Sequence, residues 1–244
     1  MSALPFASAT TQIVRWLVLA LSALSLVACE SQPAGAPVPA PTLVVGDHWT
    51  YKITDNIRRG IVSTLDAEVS SIDGGIATVR LVLTDAQGAR TAWDQEMNAN
   101  GGLVVGILKP SEVMTRRYPK PIELYDFPLT TGTTWRQVID TTSPETGLDA
   151  QILVYGRVLG PSQVTVPAGS FGAVYVYRIL QLDDEQFWRT RTERRDSVWY
   201  TPDNKAPARE MREAQYIERS GPDVAVVRTE MTVRELISFR PGKG

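Results

Sequence analysis

One cysteine and one histidine in 244 residues cannot assemble a disulfide framework or a zinc site built from Cys and His alone. Neither charge is in surplus: 25 basic side chains face 27 acidic ones, a formal charge of -2. Without a basic excess, little counterion release is available to drive binding to nucleic acid, and no nucleic-acid partner is expected. Long hydrophobic runs are also missing. The longest, residues 16–27 (WLVLALSALSLV), is broken by two serines and falls short of the roughly 20 apolar residues needed to cross a bilayer. Between residues 43 and 239 no stretch of ten or more residues shows the 3.6-residue period of a helix. A hydrophobic content of 43% nevertheless excludes disorder and is enough for a buried core.

What the N-terminus does contain is an export signal. Arg15, the one charge in the first 28 residues, precedes the apolar run, and small residues follow it where a stop-transfer segment would carry charges. The run ends in Leu26-Val27-Ala28-Cys29, which resembles the lipobox of bacterial lipoproteins. That resemblance implies cleavage before Cys29, a diacylglyceryl thioether on its sulfur and a third, amide-linked chain of the palmitate type on its new N-terminus. Several chains at about 0.8 kcal/mol per buried methylene anchor a protein durably. Glu30 stands where an inner-membrane retention signal of the enteric type would place Asp, which implies the periplasmic side of the outer membrane.

Residues 30–42 (ESQPAGAPVPAPT) hold four prolines and, apart from Val38, no large apolar group. They read as a tether, which in polyproline geometry at about 3.1 Å per residue could stand a domain roughly 40 Å from the membrane. The expected organisation is a signal peptide over 1–28, a lipidated cysteine and Pro-rich tether over 29–42, and one β domain over 43–244. Loss of Arg15 with the signal leaves the mature chain with three more acids than bases.

From residue 43 the period is two, the signature of strands with one face on a core and one in water. Trp49, Tyr51, Ile53 and Ile57 share one face against His48, Thr50, Lys52, Thr54 and Asn56; Ala77, Val79, Leu81 and Leu83 alternate with Ile76, Thr78 and Arg80. In residues 224–239 the set Ala225, Val227, Met231, Val233, Ile237 and Phe239 falls on one side. Residues 173–182 (AVYVYRILQL) are apolar on both faces and read as a central strand. Residues 186–200 (QFWRTRTERRDSVWY) read as a long strand whose arginines require a solvated middle. The expectation is an all-β fold: a large curled antiparallel sheet, half-barrel or sandwich, with few helices. An internal echo at an offset of 86, Gly46, Trp49, Ile53 and Gly74 against Gly132, Trp135, Ile139 and Gly160, suggests a duplicated meander, with VRLVLTD (79–85) answering YRILQLDD (177–184) and Trp93 answering Trp188.

The segments GDHWTY, FPLTTGTTW, VTVPAGSF, VWYTP and RELISF together resemble a type found among uncharacterised periplasmic lipoproteins. That type is similar to the half-barrel class of the lipoprotein-localisation carriers, whose curled sheet cups an apolar concavity. The chain departs from those carriers in lacking amphipathic lid segments.

No catalytic constellation is visible. Ala168-Gly169-Ser170-Phe171-Gly172 matches a relaxed nucleophile elbow, but β-forming residues follow Ser170 where an elbow needs a helix. His48 reads as a solvated residue on a strand's outer face, and Asp183-Asp184-Glu185 as an acidic turn. Val166-Pro167-Ala168-Gly169 reads as a chain reversal, with Pro at the second turn position and Gly at the fourth. Two functions from different classes remain, with neither an enzyme nor a cofactor or metal expected. The leading one is an envelope interaction module using Arg189, Arg191, Arg194 and Arg195, although cross-strand pairing of such arginines with Glu210, Glu213 or Glu218 would occupy them. The alternative is a binding protein for a lipid or acyl chain, held in a concavity of Trp49, Tyr51, Leu81, Leu83, Trp93, Trp135, Tyr175 and Tyr177. An open cavity of roughly 300 Å³ or more would separate the second from the first.

Overall fold

The computed structural model describes residues 35–58, 60–108, 115–143, 146–221 and 224–243; the expected signal segment and Cys29 lie outside them. Six strands come first: β1 (His48–Asp55), β2 (Ile61–Asp73), β3 (Ile76–Thr84), β4 (Arg90–Asn98), β5 (Leu103–Gly106) and β6 (Arg116–Ile122). Six more follow: β7 (Thr134–Thr142), β8 (Asp149–Val166), β9 (Gly169–Gln181), β10 (Glu193–Thr201), β11 (Ala206–Gly221) and β12 (Val224–Arg240). The period-two residues sit as the alternation requires, with Trp49, Tyr51, Ala77, Val79 and Leu81 buried and their sequence neighbours half-buried or exposed. One 3-10 turn, Pro202–Asn204, links β10 to β11.

All twelve strands belong to one antiparallel sheet in the order β6-β5-β4-β3-β2-β1-β12-β11-β10-β9-β8-β7. Each half is a six-stranded up-and-down meander, and the first and last strands pair with each other. The sheet is thus a nearly closed, barrel-like wall whose seam lies mid-chain, between β6 and β7. Side chains bridge that seam where backbone bonds do not. The Gln137 amide of β7 acts as a peptide would, donating to the Pro121 carbonyl at 2.9 Å and accepting from the Glu123 N–H at 2.9 Å. Trp135 Nε1 donates to the Glu123 carbonyl at 2.9 Å. Farther along, Asp183 accepts from both Arg116 of β6 (2.8 Å) and Thr141 of β7 (2.7 Å).

The two halves repeat local geometry as well as strand count. Gly46 and Gly132, at φ +87 and +86, take the left-handed conformation that favours glycine. Their N–H groups bond Val69 and Val158, whose own N–H groups return to Asp47 and Thr133. The register slips just beyond both valines, at Val69/Ser71 and at Val158/Gly160. Aligning these slips pairs Val79 with Val176 and therefore Leu81 with Arg178, one residue away from the match of VRLVLTD with YRILQLDD. Two further matches also fail. Gly74 lies in the β2–β3 turn while Gly160 lies within β8, and Trp188 precedes β10 rather than occupying the place of Trp93 in β4.

Two other expectations are modified. The stretch 186–200 forms a strand only from Glu193. In β12 the register slips opposite Thr50/Tyr51, and a bulge turns the following residues over. Phe239 therefore stacks on Trp49 (5.5 Å between rings) and fully buried Leu236 stands opposite Tyr51, while Ile237 is exposed. The Leu236 carbonyl accepts from Ala168 N–H at 3.0 Å, so the tip of the β8–β9 hairpin, where the VPAGSF segment reverses the chain, docks on this bulge. Of the stretch read as a tether, the described part is seated on the body: Val38 and Leu129 exchange two backbone hydrogen bonds, at 3.1 and 2.7 Å.

Trp135 lies flat over Gly156, its cross-strand partner; a Cβ there would fall 2.0 Å from Trp135 Cζ2. Gly156→Ala should destabilise the protein by about 1–3 kcal/mol through overpacking. A lower urea midpoint for the single variant, with partial recovery when Trp135→Leu is added, is the expected result; an unchanged midpoint would mean that the ring moves freely.

Candidate functional site

The barrel-like wall encloses a cavity of about 480 Å³. Strands β1–β5 supply an apolar side from Trp49, Ala67, Ala77, Val79, Leu81 and Met97, and β9–β12 supply a charged side from Arg178, Arg194, Glu210, Arg212 and Arg234. Tyr125 and Phe127 of the β6–β7 connection, with Tyr200, close part of its lining; these three rings lie 5.4–5.5 Å from one another. The cavity reaches the turns at one end of the sheet, Gly75, Ala99, Gly101 and Lys205 among them, together with residues 40–43.

The charged side is built on strand register. Arg178, Asp196 and Arg212 lie in one cross-strand row of β9, β10 and β11, and Val176, Val198, Glu210 and Arg234 lie in the next. Asp196 accepts from Arg178 Nη2 (2.9 Å), Arg194 Nε (2.8 Å) and Arg194 Nη2 (2.6 Å). Glu210 accepts from Arg178 Nη2 (2.7 Å), Arg212 Nε (3.0 Å) and Arg234 Nη2 (2.5 Å). Arg178 also donates to the Leu124 carbonyl and Arg194 to that of Leu108. Four guanidinium groups thus meet two carboxylates, an excess of two positive charges. Arg178 and Arg194 are 1% exposed. Arg212 keeps 36% of its side-chain surface, which it turns to the cavity that it lines.

Charge states follow from this packing. Burial pushes the Asp196 and Glu210 carboxyls up, but the arginines outweigh it, lowering Asp196 and holding Glu210 well below the usual carboxylate range. Burial pulls Arg194 down. The hydroxyls of Tyr51, Tyr125 and Tyr200 are raised, above all by burial, and so stay protonated as hydrogen-bond donors. The Arg234 guanidinium lies 4.8 Å over the Tyr51 ring and that of Arg178 4.9 Å over Tyr125.

The residues singled out in the sequence are only partly brought together. Trp49, Tyr51 and Leu81 line the cavity, and Leu83 and Trp93 pack at the edge of the same apolar cluster. Trp135 belongs to a different cluster, over Gly156. Tyr175 and Tyr177 alternate with buried Val176 and Arg178 and so point to the opposite face, where Tyr175 stacks on Trp199 at 4.9 Å. The four arginines do not form one surface. Arg194 is buried in the cavity wall, Arg189 pairs with buried Asp184 and lies over Tyr216, Arg191 pairs with Glu185, and Arg195 with Glu193. Their close ion-pair partners are acids of their own segment, while Arg195 stands opposite Glu213 and Arg189 opposite Glu218 in register, as cross-strand pairing requires.

Asp183 and Asp184 are buried rather than displayed on a solvated turn. Asp184 accepts from the Thr192 N–H and hydroxyl, tying down the β9–β10 connection. His48 is half-buried, its Nε2 3.7 Å from Asp66. Ser170 lies in β9, with its hydroxyl 2.9 Å from that of Thr165. Among the described residues no group of three or more His, Cys, Asp and Glu side chains could hold a metal ion.

No protein-family model matches the chain, and no curated protein matches it significantly. Solved structures similar to it include three exported or lipoprotein-like chains. One, described as a candidate lipoprotein from Parabacteroides distasonis, is 13% identical with a TM-score of 0.46, over 84% of this chain and all of the other. A candidate exported protein with a YmcC-like fold from Bacteroides fragilis is 11% identical with a TM-score of 0.42, over the same shares. The hypothetical lipoprotein YmcC from Escherichia coli is 10% identical with a TM-score of 0.39, over 98% of this chain and all of that one.

Proposed function

We propose that this chain is a non-catalytic binding protein of the bacterial envelope, held to the periplasmic side of the outer membrane through lipid on Cys29, and that its barrel-like interior takes an apolar ligand. The lipobox-like LVAC segment supports the anchor. The observation that carries the binding reading is the cavity of about 480 Å³ walled by Trp49, Ala77, Val79 and Leu81, within the roughly 300–1,000 Å³ range of ligand pockets. Interiors are normally packed to near-crystalline density, with few voids larger than a water molecule. An apolar space of this size is therefore the feature that a solid structural module lacks. An interaction module working through its arginines is less well supported, because Arg194 is inside and the other three already have partners.

The test is titration of the purified protein with the neutral fluorescent probe N-phenyl-1-naphthylamine. Saturable, near-stoichiometric enhancement is expected in the wild type, and a loss of affinity of about tenfold or more in Ala77→Phe, which fills the apolar side. Absence of saturable binding, or equal binding by Ala77→Phe, would count against the reading.

A further inference from the structure

The four guanidiniums over two carboxylates lie on one side of a cavity whose other side is apolar, and this combination is more than a fold requires. An unbalanced buried charge costs several kcal/mol unless something compensates it. Both carboxylates are fully engaged, so they offer the remaining positive charge nothing further. Donors are also left over. Arg212 and Arg234 each commit part of their guanidinium to Glu210, yet keep 36% and 23% of their side-chain surface and line the cavity. Tyr51 and Tyr125, whose hydroxyls burial keeps protonated, line the same cavity with their rings under Arg234 and Arg178. Planar guanidiniums with hydroxyl donors nearby recognise an oxyanion through charge-assisted hydrogen bonds. The facing wall of Trp49, Ala77, Val79 and Leu81 has no such groups and suits a hydrocarbon chain.

We infer that the ligand is an amphiphile with an oxyanion headgroup, a phosphate ester or a carboxylate, seated at Arg212 and Arg234 with its chain along the β1–β5 side. This deepens the apolar-ligand reading and rests on it. The bound headgroup balances the excess charge of the cluster, and the chain displaces poorly held water from the apolar wall. An alcohol of the same chain length supplies only the second term, and a cationic amphiphile meets repulsion.

Displacement of N-phenyl-1-naphthylamine from the purified protein, below micellar concentrations, tests this with dodecyl phosphate, dodecanoate, dodecanol, dodecyltrimethylammonium and inorganic phosphate. Both anionic amphiphiles should displace the dye at concentrations at least about tenfold lower than dodecanol, as expected for a charge-assisted hydrogen bond. The cation should be the weakest, and inorganic phosphate should not displace the dye. In Arg212→Gln, or in Arg234→Gln if the first variant does not fold, the anion-over-alcohol ratio should fall to about one. Equal displacement by dodecanol in the wild type, an unchanged ratio in both variants, or displacement by inorganic phosphate as effective as by dodecyl phosphate would each overturn the inference. The first two leave the apolar-ligand reading intact, whereas failure of the dye to bind overturns both.

Discussion

Asp196→Ala should lose about 3–5 kcal/mol of folding stability, because it leaves Arg194 with no carboxylate and Arg178 with Glu210 alone, in a site with almost no access to water. Against total stabilities of about 5–15 kcal/mol, this is a large fraction of what holds the fold. The size follows from burial and not from the number of hydrogen bonds. The exposed Arg195–Glu193 pair has comparable geometry at 2.6 Å, yet its loss should cost at most about 1 kcal/mol. Adding Arg194→Met to Asp196→Ala should recover part of the loss, since it removes one stranded charge. Urea denaturation of the two single variants and the double variant gives the comparison. A midpoint for Asp196→Ala within experimental error of the wild type would refute the ionised, desolvated cluster described above.

Much of the architecture was legible because antiparallel strands with one buried face alternate, and alternation survives in a single sequence. Trp49 and Tyr51 against Thr50 and Lys52, or Val79 and Leu81 against Arg80, need no neighbours to be read. The start of each half was equally plain, since Gly46 and Gly132 occupy the same left-handed position before equivalent strands. Less legible was anything that depends on slips in register. The counterpart of Leu81 in the second half is Arg178, one residue from the apparent match, Ile179, and a one-residue slip exchanges the faces of a strand. The bulge opposite Thr50/Tyr51 likewise puts Leu236 and Phe239 on the inner face, where simple alternation groups Val233 with Phe239.

The site was hidden for a related reason. Alternation in β10 separates Arg194, Asp196, Val198 and Tyr200 from Arg195, Ser197 and Trp199, but it does not say which set turns inward. An arginine reads as solvated until its acid is located across the sheet. Arg178, alone among Val176, Ile179 and Leu180, was the visible clue, because an arginine inside an apolar strand needs a counter-charge. Asp196, 18 residues on and directly opposite in register, supplies it. Tyr175 and Tyr177, expected in the concavity, flank Val176 and lie on the outer face.

Acid should unfold the protein through the same cluster. The carboxyls of Asp196 and Glu210 are depressed in the fold relative to ordinary values of 3.8 and 4.5. Their stabilising contribution is therefore fully present above those ordinary values and is lost as the pH falls toward and through the lowered folded ones. Stability measured by urea unfolding should be flat near neutrality and decline below about pH 4.5. Each carboxylate can add up to about 1.4 kcal/mol per pH unit, because the unfolded chain binds protons that the fold refuses. Half-buried Glu230, raised by burial, acts in the opposite sense and softens the slope without reversing it. Glu210→Gln should lower stability at pH 7, where it removes the acceptor shared by Arg178, Arg212 and Arg234. Below pH 4.5 the same variant should show a shallower decline than the wild type, so the two curves converge as the pH falls. Parallel curves would mean that Glu210 titrates alike in the folded and unfolded chain, which its enclosure by these arginines does not permit.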